Sequence, residues 1–305
     1  MPAGISRNQG FFNCLDVIAK EGTVLNPVYP ATNASQAVTL GGEITECVML
    51  AMSQIAPEDT PATWGRHSNT LFAGMRRDRI DPRTESISEY TAHLFHACPS
   101  SGAACGYDRV DGSGSSSLGG ACIRAPVEVT EWYIPYRWEA YEFKTGSAGP
   151  GEWRGGLGMH VETVNVYDRN LWQPLDCLTM SGNADGEKFN SVGLQGGEGG
   201  TTTAPWITCS GERIDYRTFD LKYLEPGDIL VQDSGGGGGY GDPLDRDVEK
   251  VRWDVLNEYI SVAAAHDRYV VVDPVTVSVD REAIAQLRNK LKKARTSATG
   301  RKLRN

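Results

Sequence analysis

The most unusual chemistry of the sequence lies between Ser234 and Asp247, SGGGGGYGDPLDRD, where five consecutive glycines lead into Tyr240 and Asp242. Backbone N–H groups of a glycine loop ahead of a helix can cradle an anion such as phosphate. Nucleotide-binding loops, however, need a lysine followed by serine or threonine, or GxGxxG within a βαβ unit. Here three aspartates occupy the helix end and would repel a phosphate. The pattern therefore favours a structural or partner-contacting loop over a nucleotide site.

Individual residues of this loop have different predicted roles. Gly237 belongs to a run in which the backbone needs positive φ or close approach by another group. Asp242 is predicted to cap or orient the loop, because a carboxylate ahead of a helix accepts hydrogen bonds from its free N–H groups. Acid–base or metal chemistry at Asp242 is the alternative. Gly237, Tyr240 and Asp242 are therefore candidate residues of a substrate- or partner-contacting loop.

Arg154 is the strongest candidate for a functional cation. It lies in the string EWRGGLG beside Gly155 and Gly156, where glycines let the backbone turn sharply. Its guanidinium could reach a carboxylate or phosphate held by a partner and bind it through two parallel hydrogen bonds. The alternative is a buried ion pair with one of the nearby glutamates, Glu128, Glu131 or Glu152.

Asp111 and Gly112 lie in a glycine- and serine-rich stretch, residues 102–120, whose composition is typical of turns. Because strong strand signals flank it, we expect an ordered binding loop or an active-site rim here. Upstream, the spacing His-x₂-His-x-Cys-x₆-Cys begins at His93 and suggests a metal site. It matches no standard zinc pattern, which favours structural histidines, and we assign no metal ligand to the chain.

Hydrophobic periodicity indicates the elements that must position these residues. Apolar residues between Val38 and Ile55 recur at helical spacing and stop at Pro57, which predicts a helix packed in the core. Residues 127–143 give the strongest strand signal, and residues 159–167 alternate as a strand does. A strand precedes the glycine run and a helix follows it. Asp280 is predicted to cap a final helix.

These elements predict a β-rich α+β fold. We expect mixed sheets joined by glycine-rich loops, with one helix in the first half and a helical segment at the C-terminus. Glycine contributes 35 of 305 residues, well above average usage, and the predicted strands are short.

Charge and cysteine usage narrow the classes of function. The net charge of −9 argues against a nucleic-acid or anionic-membrane partner. No apolar run reaches the roughly 18 residues that span a bilayer, and the first residues lack a signal-peptide core. Seven scattered cysteines without a CxxC pair indicate neither a disulfide scaffold nor a zinc ribbon. We therefore expect a cytoplasmic protein.

Several strings, in this order, resemble the second half of the hydantoinase B family, which includes oxoprolinases and the acetone and acetophenone carboxylases. The likeness spans nearly the whole chain to about Val279. The strings that carry it are GTVLNP at Gly22 to Pro27, Asp111-Gly112, Pro126 to Glu128 with Glu131, SAGPGEWRGGLG at Ser147 to Gly158, GLQGG at Gly193 to Gly197, and GGGGGYGDP.

The resemblance also makes some absences informative. The family's full-length chain has a further N-terminal half with motifs such as THLPD and GHxxD, which look like metal ligands, and neither string occurs here. The resemblance therefore implies that no cofactor is held by this chain, and that ATP and a divalent metal bind on partner chains. The implied partners are a hydantoinase A-type ATP-binding subunit and a chain that supplies the missing N-terminal half, in a hetero-oligomer.

The resemblance and the sequence patterns together predict two modules and leave three functions open. Residues 1–279 would form the hydantoinase B-like C-terminal module, with a sub-boundary near 100–120, and residues 280–305 a helical basic tail. The implied function is a subunit of a multi-chain ATP-dependent enzyme, with carboxylation of a ketone by bicarbonate as the expected reaction. The alternatives are ATP-dependent hydrolysis of a cyclic amide and a non-catalytic scaffold role.

Overall fold

The computed structural model describes residues 13, 16–31, 40–116, 119–120, 123–183, 186–202, 205–217, 220–269, 273 and 275–302, with backbone alone for 181–183 and 294–302. The chain divides into two units, residues 1–36 and 37–305. In the first unit, the GTVLNP string forms a tight turn in which the Gly22 N–H donates to the Asn26 carbonyl at 2.9 Å.

The second unit is built on two sheets. The strands are β1 (Asn69–Asp81), β2 (Ser86–Leu94), β3 (Tyr136–Phe143), β4 (Met159–Asn165), β5 (Leu178–Asn183), β6 (Trp206–Cys209), β7 (Glu212–Asp215), β8 (Leu221–Tyr223) and β9 (Ile229–Asp233). The first sheet has the strand order β2-β1-β5-β8 and the second the order β3-β4-β9-β6-β7. The β-rich α+β prediction is confirmed. The predicted mixed sheets resolve into antiparallel ones, because each pairing among the described strands is antiparallel.

The main hydrophobic core lies between these sheets. It takes Phe72 and Tyr90 from the first sheet and Tyr136, Ile207 and Leu230 from the second. The rings of Phe72 and Tyr136 meet edge to face with centroids 4.6 Å apart. Side chains from two sheet faces thus fill one layer, as in other face-to-face sheet packings.

Helix α1 (Leu40–Met52) confirms the helix predicted ahead of Pro57. The prediction of a strand over residues 127–143 is wrong in its first half, because Val127–Tyr133 forms a second helix, α2. Pro126 precedes the first turn of α2, where its missing N–H has no helical role. Trp132 and Tyr133 remain exposed, so their β propensity, which reflects packing on a sheet, is not realised.

A helical region follows the sheets. A 3₁₀ turn (Pro243–Asp245) leads to α3 (Val248–Leu256) and α4 (Val262–Arg268), and α5 (Arg281–Lys302) follows. As predicted, Asp280 caps α5, because its Oδ1 accepts hydrogen bonds from the Glu282 and Ala283 N–H groups. Val251, Ile260 and Ile284 form a small core that joins α3, α4 and α5.

Candidate functional site

The glycine run forms the centre of a bundle of extended segments that belong to neither sheet. We call this region the glycine bundle; its segments are residues 62–66, 99–104, 147–158, 191–200 and 234–241. From Gly235 to Tyr240, successive residues bond in rotation to segments 62–66, 191–200 and 147–158, so every third residue meets the same one of these segments. The Gly238 carbonyl also accepts from the Ala103 N–H of segment 99–104 at 2.8 Å. The pairs are Gly235 with Arg66, Gly236 with Ser191, Gly237 with Gly156, Gly238 with Thr63, Gly239 with Glu198, and Tyr240 with Trp153. Three residues per turn is the period of a polyproline-II helix.

Close packing of backbone against backbone explains why these residues are glycine. A Cβ on Gly237 would lie closer than 3.0 Å to the Ser101 carbonyl oxygen, and one on Gly155 would overlap the Gly237 carbonyl. The run from Gly235 to Gly239 shows no positive φ, so close approach and not left-handed backbone is the reason for glycine. The positive φ in this stretch occurs at Gly241.

The backbone of the run is committed to the chain itself. The N–H groups of Gly235, Gly237, Gly238 and Gly239 donate to carbonyls of neighbouring segments at 2.8–3.1 Å. Tyr240 bridges to two further segments, and its hydroxyl donates to the Pro57 carbonyl at 2.9 Å. A phosphate cradle needs free N–H groups. These four N–H groups therefore bond within the chain and form no such cradle, as expected for a structural or partner-contacting loop.

Arg154 lies beside this bundle and is 5% exposed. Its Nη1 donates to Asp111 Oδ1 at 3.1 Å, and its Nε lies at ion-pair distance, 3.4 Å, from Asp254 Oδ1. The guanidinium also stacks on the Tyr259 ring, 4.9 Å from its centroid. The sequence predicted either a functional cation or a buried ion pair with Glu128, Glu131 or Glu152. The structure shows a buried ion pair, but its described partners are two aspartates distant in sequence and none of those glutamates, so the predicted partners are wrong.

A second buried arginine, Arg246, shares Asp254 with Arg154. No sequence pattern identified it as a candidate residue. It is 1% exposed and donates to Asp108 Oδ1 at 2.7 Å and to Asp254 Oδ2 at 2.8 Å. Burial alone would raise the pKa of Asp108, but the hydrogen bonds and charge of Arg246, the Arg154 N–H and the charge of Lys250 together lower that pKa. Charges of alternating sign thus run from Asp111 through Arg154, Asp254 and Arg246 to Asp108. This network ties the glycine bundle to α3.

Asp111 and Gly112 are held against the same segment. Asp111 Oδ1 also accepts from the Leu157 N–H at 2.6 Å, and the Gly112 N–H donates to the Leu157 carbonyl at 3.0 Å. The Ser100 hydroxyl accepts a second bond from the Gly112 N–H at 2.6 Å. Asp111 and Gly112 therefore form part of the ordered loop that the sequence predicted.

The remaining candidates occupy other places. Asp242 Oδ1 accepts from the Leu244 N–H at 2.9 Å and caps the 3₁₀ turn, which confirms its predicted capping role. Glu128 is exposed on α2. Glu131, on the same helix, accepts from the Trp138 N–H at 2.8 Å. Among the described contacts, neither glutamate reaches the charge network.

A cavity of about 370 Å³ lies between the glycine bundle and α4. Bundle residues Pro150 and Gly200, with the adjoining Thr201, form one wall, and Ile260 and Tyr269 form part of the other. Arg268 and Glu198, which are ion-paired with each other, also line it. Its size and its polar lining suit a small polar molecule.

A second polar group lies where β9 enters the glycine run. His160 Nδ1 is 2.6 Å from Asp233 Oδ1, and Lys144 Nζ is 2.9 Å from Asp233 Oδ2. The hydrogen bond to Asp233 raises the pKa of His160. Burial would raise the pKa of Asp233, but the bonds from His160 and Lys144 lower it on balance. The 73-residue separation of this pair left no signal in the sequence.

The histidines near residue 96 are placed apart by strand β2. His93 is exposed on β2, whereas His96 is buried with its ring 5.0 Å from that of Trp138. In the part of the chain that the structure describes, no three histidine, cysteine or acidic residues are grouped as metal ligands. Likewise, no described helix combines the length and apolar composition of a membrane span.

Comparison with known proteins gives consistent matches. A family model described as hydantoinase B/oxoprolinase matches residues 1–243. Caprolactamase subunit beta of Pseudomonas jessenii is 30% identical over 273 residues, which cover 87% of this chain and 44% of that protein. The crystal structure of ATP-dependent caprolactamase from the same organism matches with a TM-score of 0.70 and 27% identity, over 90% of this chain and 46% of that chain.

A more distant match is a nucleotide-free structure of acetone carboxylase, with a TM-score of 0.63 and 19% identity over 83% of this chain and 37% of that chain. At this identity the match establishes a similar fold alone. In each of these comparisons the sequence spans less than half of the length of its relative.

Proposed function

Because the chain belongs to the hydantoinase B/oxoprolinase family, we propose that it is a subunit of a multi-chain, ATP-dependent enzyme that hydrolyses a cyclic amide. The observation that carries this proposal is its 30% identity to caprolactamase subunit beta over 87% of the chain. The fold agrees, with a TM-score of 0.70 to the caprolactamase structure. A lactam, a hydantoin or an oxoproline ring is the substrate class.

The partners in this proposal are a hydantoinase A-type subunit that binds ATP and a chain that supplies the remaining half of the family's architecture. The sequence covers 44% of caprolactamase subunit beta, so the relative contains a further region of similar size. ATP and a divalent metal would bind on those partners. In support of this, the N–H groups of Gly235, Gly237, Gly238 and Gly239 donate to the chain's own carbonyls and are not free to bind a phosphate.

We assign the candidate residues as follows. Gly155, Gly156, Gly237 and Tyr240 pack the glycine bundle. Asp111, Gly112 and Arg154 are positioning residues that hold the bundle against α3, and Asp242 caps the turn between them. Glu128 on the exposed face of α2 would contact a partner chain. The cavity beside Thr201 and Tyr269 is the place in this chain where the substrate ring would lie.

Carboxylation of a ketone by bicarbonate, the reaction expected from the sequence, has weaker support. The match to acetone carboxylase, at 19% identity, supports a similar fold and does not identify the reaction. Hydrolysis of a cyclic amide rests on relatives at 27–30% identity and is therefore the better proposal.

The experiment uses the complex purified with its partners. ADP release and ring opening are measured with caprolactam, hydantoin and 5-oxoproline, and ADP release also with acetone and acetophenone, each with and without bicarbonate. We expect ATP turnover that is stimulated by at least one ring substrate and is indifferent to bicarbonate. Turnover that requires bicarbonate and acetone or acetophenone would replace this proposal with carboxylation.

A control tests the non-catalytic alternative. The partner chains are assayed alone and then with this chain added. Full ring opening without this chain would show that it is a scaffold that the reaction does not need. Recovery of activity only on its addition supports an enzyme subunit.

A further inference from the structure

Helix α1 presents an apolar stripe to solvent. Its residues recur at intervals of three and four, which places them on one face of a helix. The stripe consists of Ile44, Cys47, Val48, Ala51, Met52 and, in the turn after the helix, Ile55. All six are exposed, and the exposed fraction reaches 57% for Val48 and 78% for Ile55. The sequence predicted that this face packs in the core, and that prediction is wrong.

The opposite face of α1, which lies against the body of the unit, carries acidic residues. Glu46 is 3% exposed and forms an ion pair with Arg66. Its Oε1 also accepts from the Trp64 N–H at 3.2 Å, and Glu43 pairs with Arg66 at 3.1 Å. Turning the helix to bury the stripe would strip Arg66 of both carboxylates and leave a buried charge unpaired. The outward orientation of the stripe is therefore fixed by the fold.

A fixed apolar stripe on a helix is a typical interaction surface. Contiguous apolar surface that faces water is costly for a soluble protein and marks contact sites when polar residues surround it. From Ile44 to Met52 the stripe runs for about 12 Å at 1.5 Å per residue. Amphipathic helices bind through this spacing of anchors, by docking against an apolar groove or helix.

We propose that this stripe is the docking surface for the part of the family's architecture that this sequence does not cover. The proposal rests on the proposed function, which includes a chain of that kind as a partner. The sequence covers 44% of caprolactamase subunit beta and 46% of the solved caprolactamase chain. In those relatives more than half of the chain therefore lies outside the region that corresponds to this protein.

Other occupants fit less well. In a second copy of this chain, Glu43 lies near one end of the stripe, and Glu58 and Asp59 lie near the other. Pairing two stripes would place these acidic residues against acidic residues of the other copy. Like charges meet in either helix orientation, and the net charge of −9 adds to the repulsion. Residues 32–39, TNASQAVT, contain too few apolar side chains to cover six positions. The partner that fits has an apolar helix or groove with basic residues on its rim.

Binding is tested with Val48→Asp against a matched control, Val275→Asp, which makes the same change at a valine that is 87% exposed outside the stripe. The probe is the chain from the same organism whose sequence matches the uncovered part of caprolactamase subunit beta. Calorimetry without ATP or substrate should show an affinity loss of more than about tenfold for Val48→Asp, because docking would bury an unpaired carboxylate. Val275→Asp should bind like the wild type.

Thermal unfolding of both variants checks that the fold is intact, as expected for exposed positions. Equal affinity of the wild type and a folded Val48→Asp would overturn the proposal. If the wild type instead forms a homodimer in sedimentation that Val48→Asp dissociates, the stripe belongs to a second copy and the proposal is wrong.

Photo-crosslinking provides an independent readout that does not depend on the stability of a variant. A benzophenone amino acid in place of Val48 should form its crosslink to the probe chain, mapped by mass spectrometry. Crosslinks to another copy or to the protein's own N-terminal residues would refute the assignment. Ring-opening activity is measured separately, so an inactive complex that still crosslinks refutes the proposed function and leaves the docking surface supported.

Discussion

The sandwich core and the glycine bundle reach dense packing by opposite means. Between the sheets, large side chains such as Phe72, Tyr136 and Leu230 fill the space, and the backbones stay apart. In the bundle, backbones from five segments touch, and the side chains that join the contacts there are mainly small hydroxyls such as those of Ser147 and Ser191. The core is stabilised by burial of apolar area, whereas the bundle depends on hydrogen bonds between segments that a single methyl group would separate.

This difference predicts where the molecule tolerates change. A hydrophobic core can relax partly around a missing atom, because neighbouring side chains change rotamer. A backbone segment of the bundle cannot move away from an added atom at one residue without moving as a whole. Sensitivity to an added methyl group should therefore be concentrated in the bundle, and sensitivity to a removed ring in the sandwich core.

The largest effect is expected for Gly237→Ala. Its Cβ would lie closer than 3.0 Å to the Ser101 carbonyl oxygen, in a segment fixed by neighbours on several sides. We expect a loss of stability larger than that of deleting a core aromatic ring, which is about 3–5 kcal/mol, and accumulation of unfolded protein. Urea unfolding of the purified chain measures it.

The matched control is Gly42→Ala in α1. The nearest atom to its Cβ is the Ser116 hydroxyl at 3.3 Å, and its φ is not in the left-handed region. Alanine favours a helix over glycine by about 1 kcal/mol, so this variant should be neutral or slightly stabilised. Equal losses for Gly42→Ala and Gly237→Ala would show that the close approach of the Ser101 carbonyl is not what requires glycine at position 237.

Phe72→Ala tests the other side of the comparison. Phe72 is fully buried, so its removal should cost about 3–5 kcal/mol and leave a cavity against Tyr136. Phe189→Ala, at a phenylalanine that is 72% exposed, should change stability by about 0.5 kcal/mol or less. Both are compared by urea midpoint. A Phe72→Ala loss that exceeds that of Gly237→Ala would reverse the proposed ranking of the two regions.

The same contrast separates what the sequence could and could not predict. Periodicity found α1 and β4, because each has one regular pattern that depends on near neighbours. Periodicity could not show that the apolar face of α1 points outward. That orientation depends on the ion pair between Glu46 and Arg66, which forms only in the folded protein. The aromatic residues of α2 led to a wrong strand prediction. Aromatic residues favour strands because they pack well on a sheet, and α2 is not part of a sheet.

The bundle shows a sharper limit. The glycines of residues 234–241 predicted an unusual backbone. The aspartates that follow them, ahead of α3, argued against a phosphate site and so favoured a structural loop. Their partners could not be predicted, because each glycine bonds to a segment 40 or more residues away in sequence. The same holds for Arg154 and Arg246, whose shared partner Asp254 lies on α3.

Arg154→Lys should have a smaller effect, because it tests the link between the bundle and α3. Lysine keeps the charge but cannot hold Asp111 and Asp254 while stacking on the Tyr259 ring. We expect a loss of about 1–3 kcal/mol. Arg137→Lys, at an exposed pair with Glu139, should stay within about 0.5 kcal/mol. If Arg154→Lys is equally silent, the network does not join the two regions.

In the assembled complex, Arg154→Lys also bears on function. As a positioning residue, it should lower ring opening only to the extent that assembly or stability falls. Normal assembly with strongly reduced turnover would instead place its guanidinium at the reacting groups. Unchanged turnover in a folded complex would show that the reaction does not need the paired hydrogen bonds that only the Arg154 guanidinium can make.

The smallest effects are expected at the two junctions between bundle and sheets, which should respond to pH in opposite directions. Asp233, the partner of His160, immediately precedes the glycine run, and His67 lies between the bundle segment 62–66 and β1. The bond to Asp233 raises the pKa of His160. Burial lowers the pKa of His67 to about 4. Histidine in an unfolded chain titrates near pH 6.5.

The signs follow from proton binding in the two states. The stabilisation from His160 is complete below about pH 6.5 and is lost as pH rises through its raised folded pKa. His67 stays neutral in the fold while the unfolded chain takes up its proton, so stability falls as pH drops from about 6.5 to about 4. The stability difference between wild type and His160→Gln should therefore shrink above pH 6.5, and that between wild type and His67→Gln should shrink below it. Urea unfolding from pH 4 to 9 measures both curves; parallel slopes would mean that the two junctions share one electrostatic environment, contrary to the contacts of Asp233 and the burial of His67.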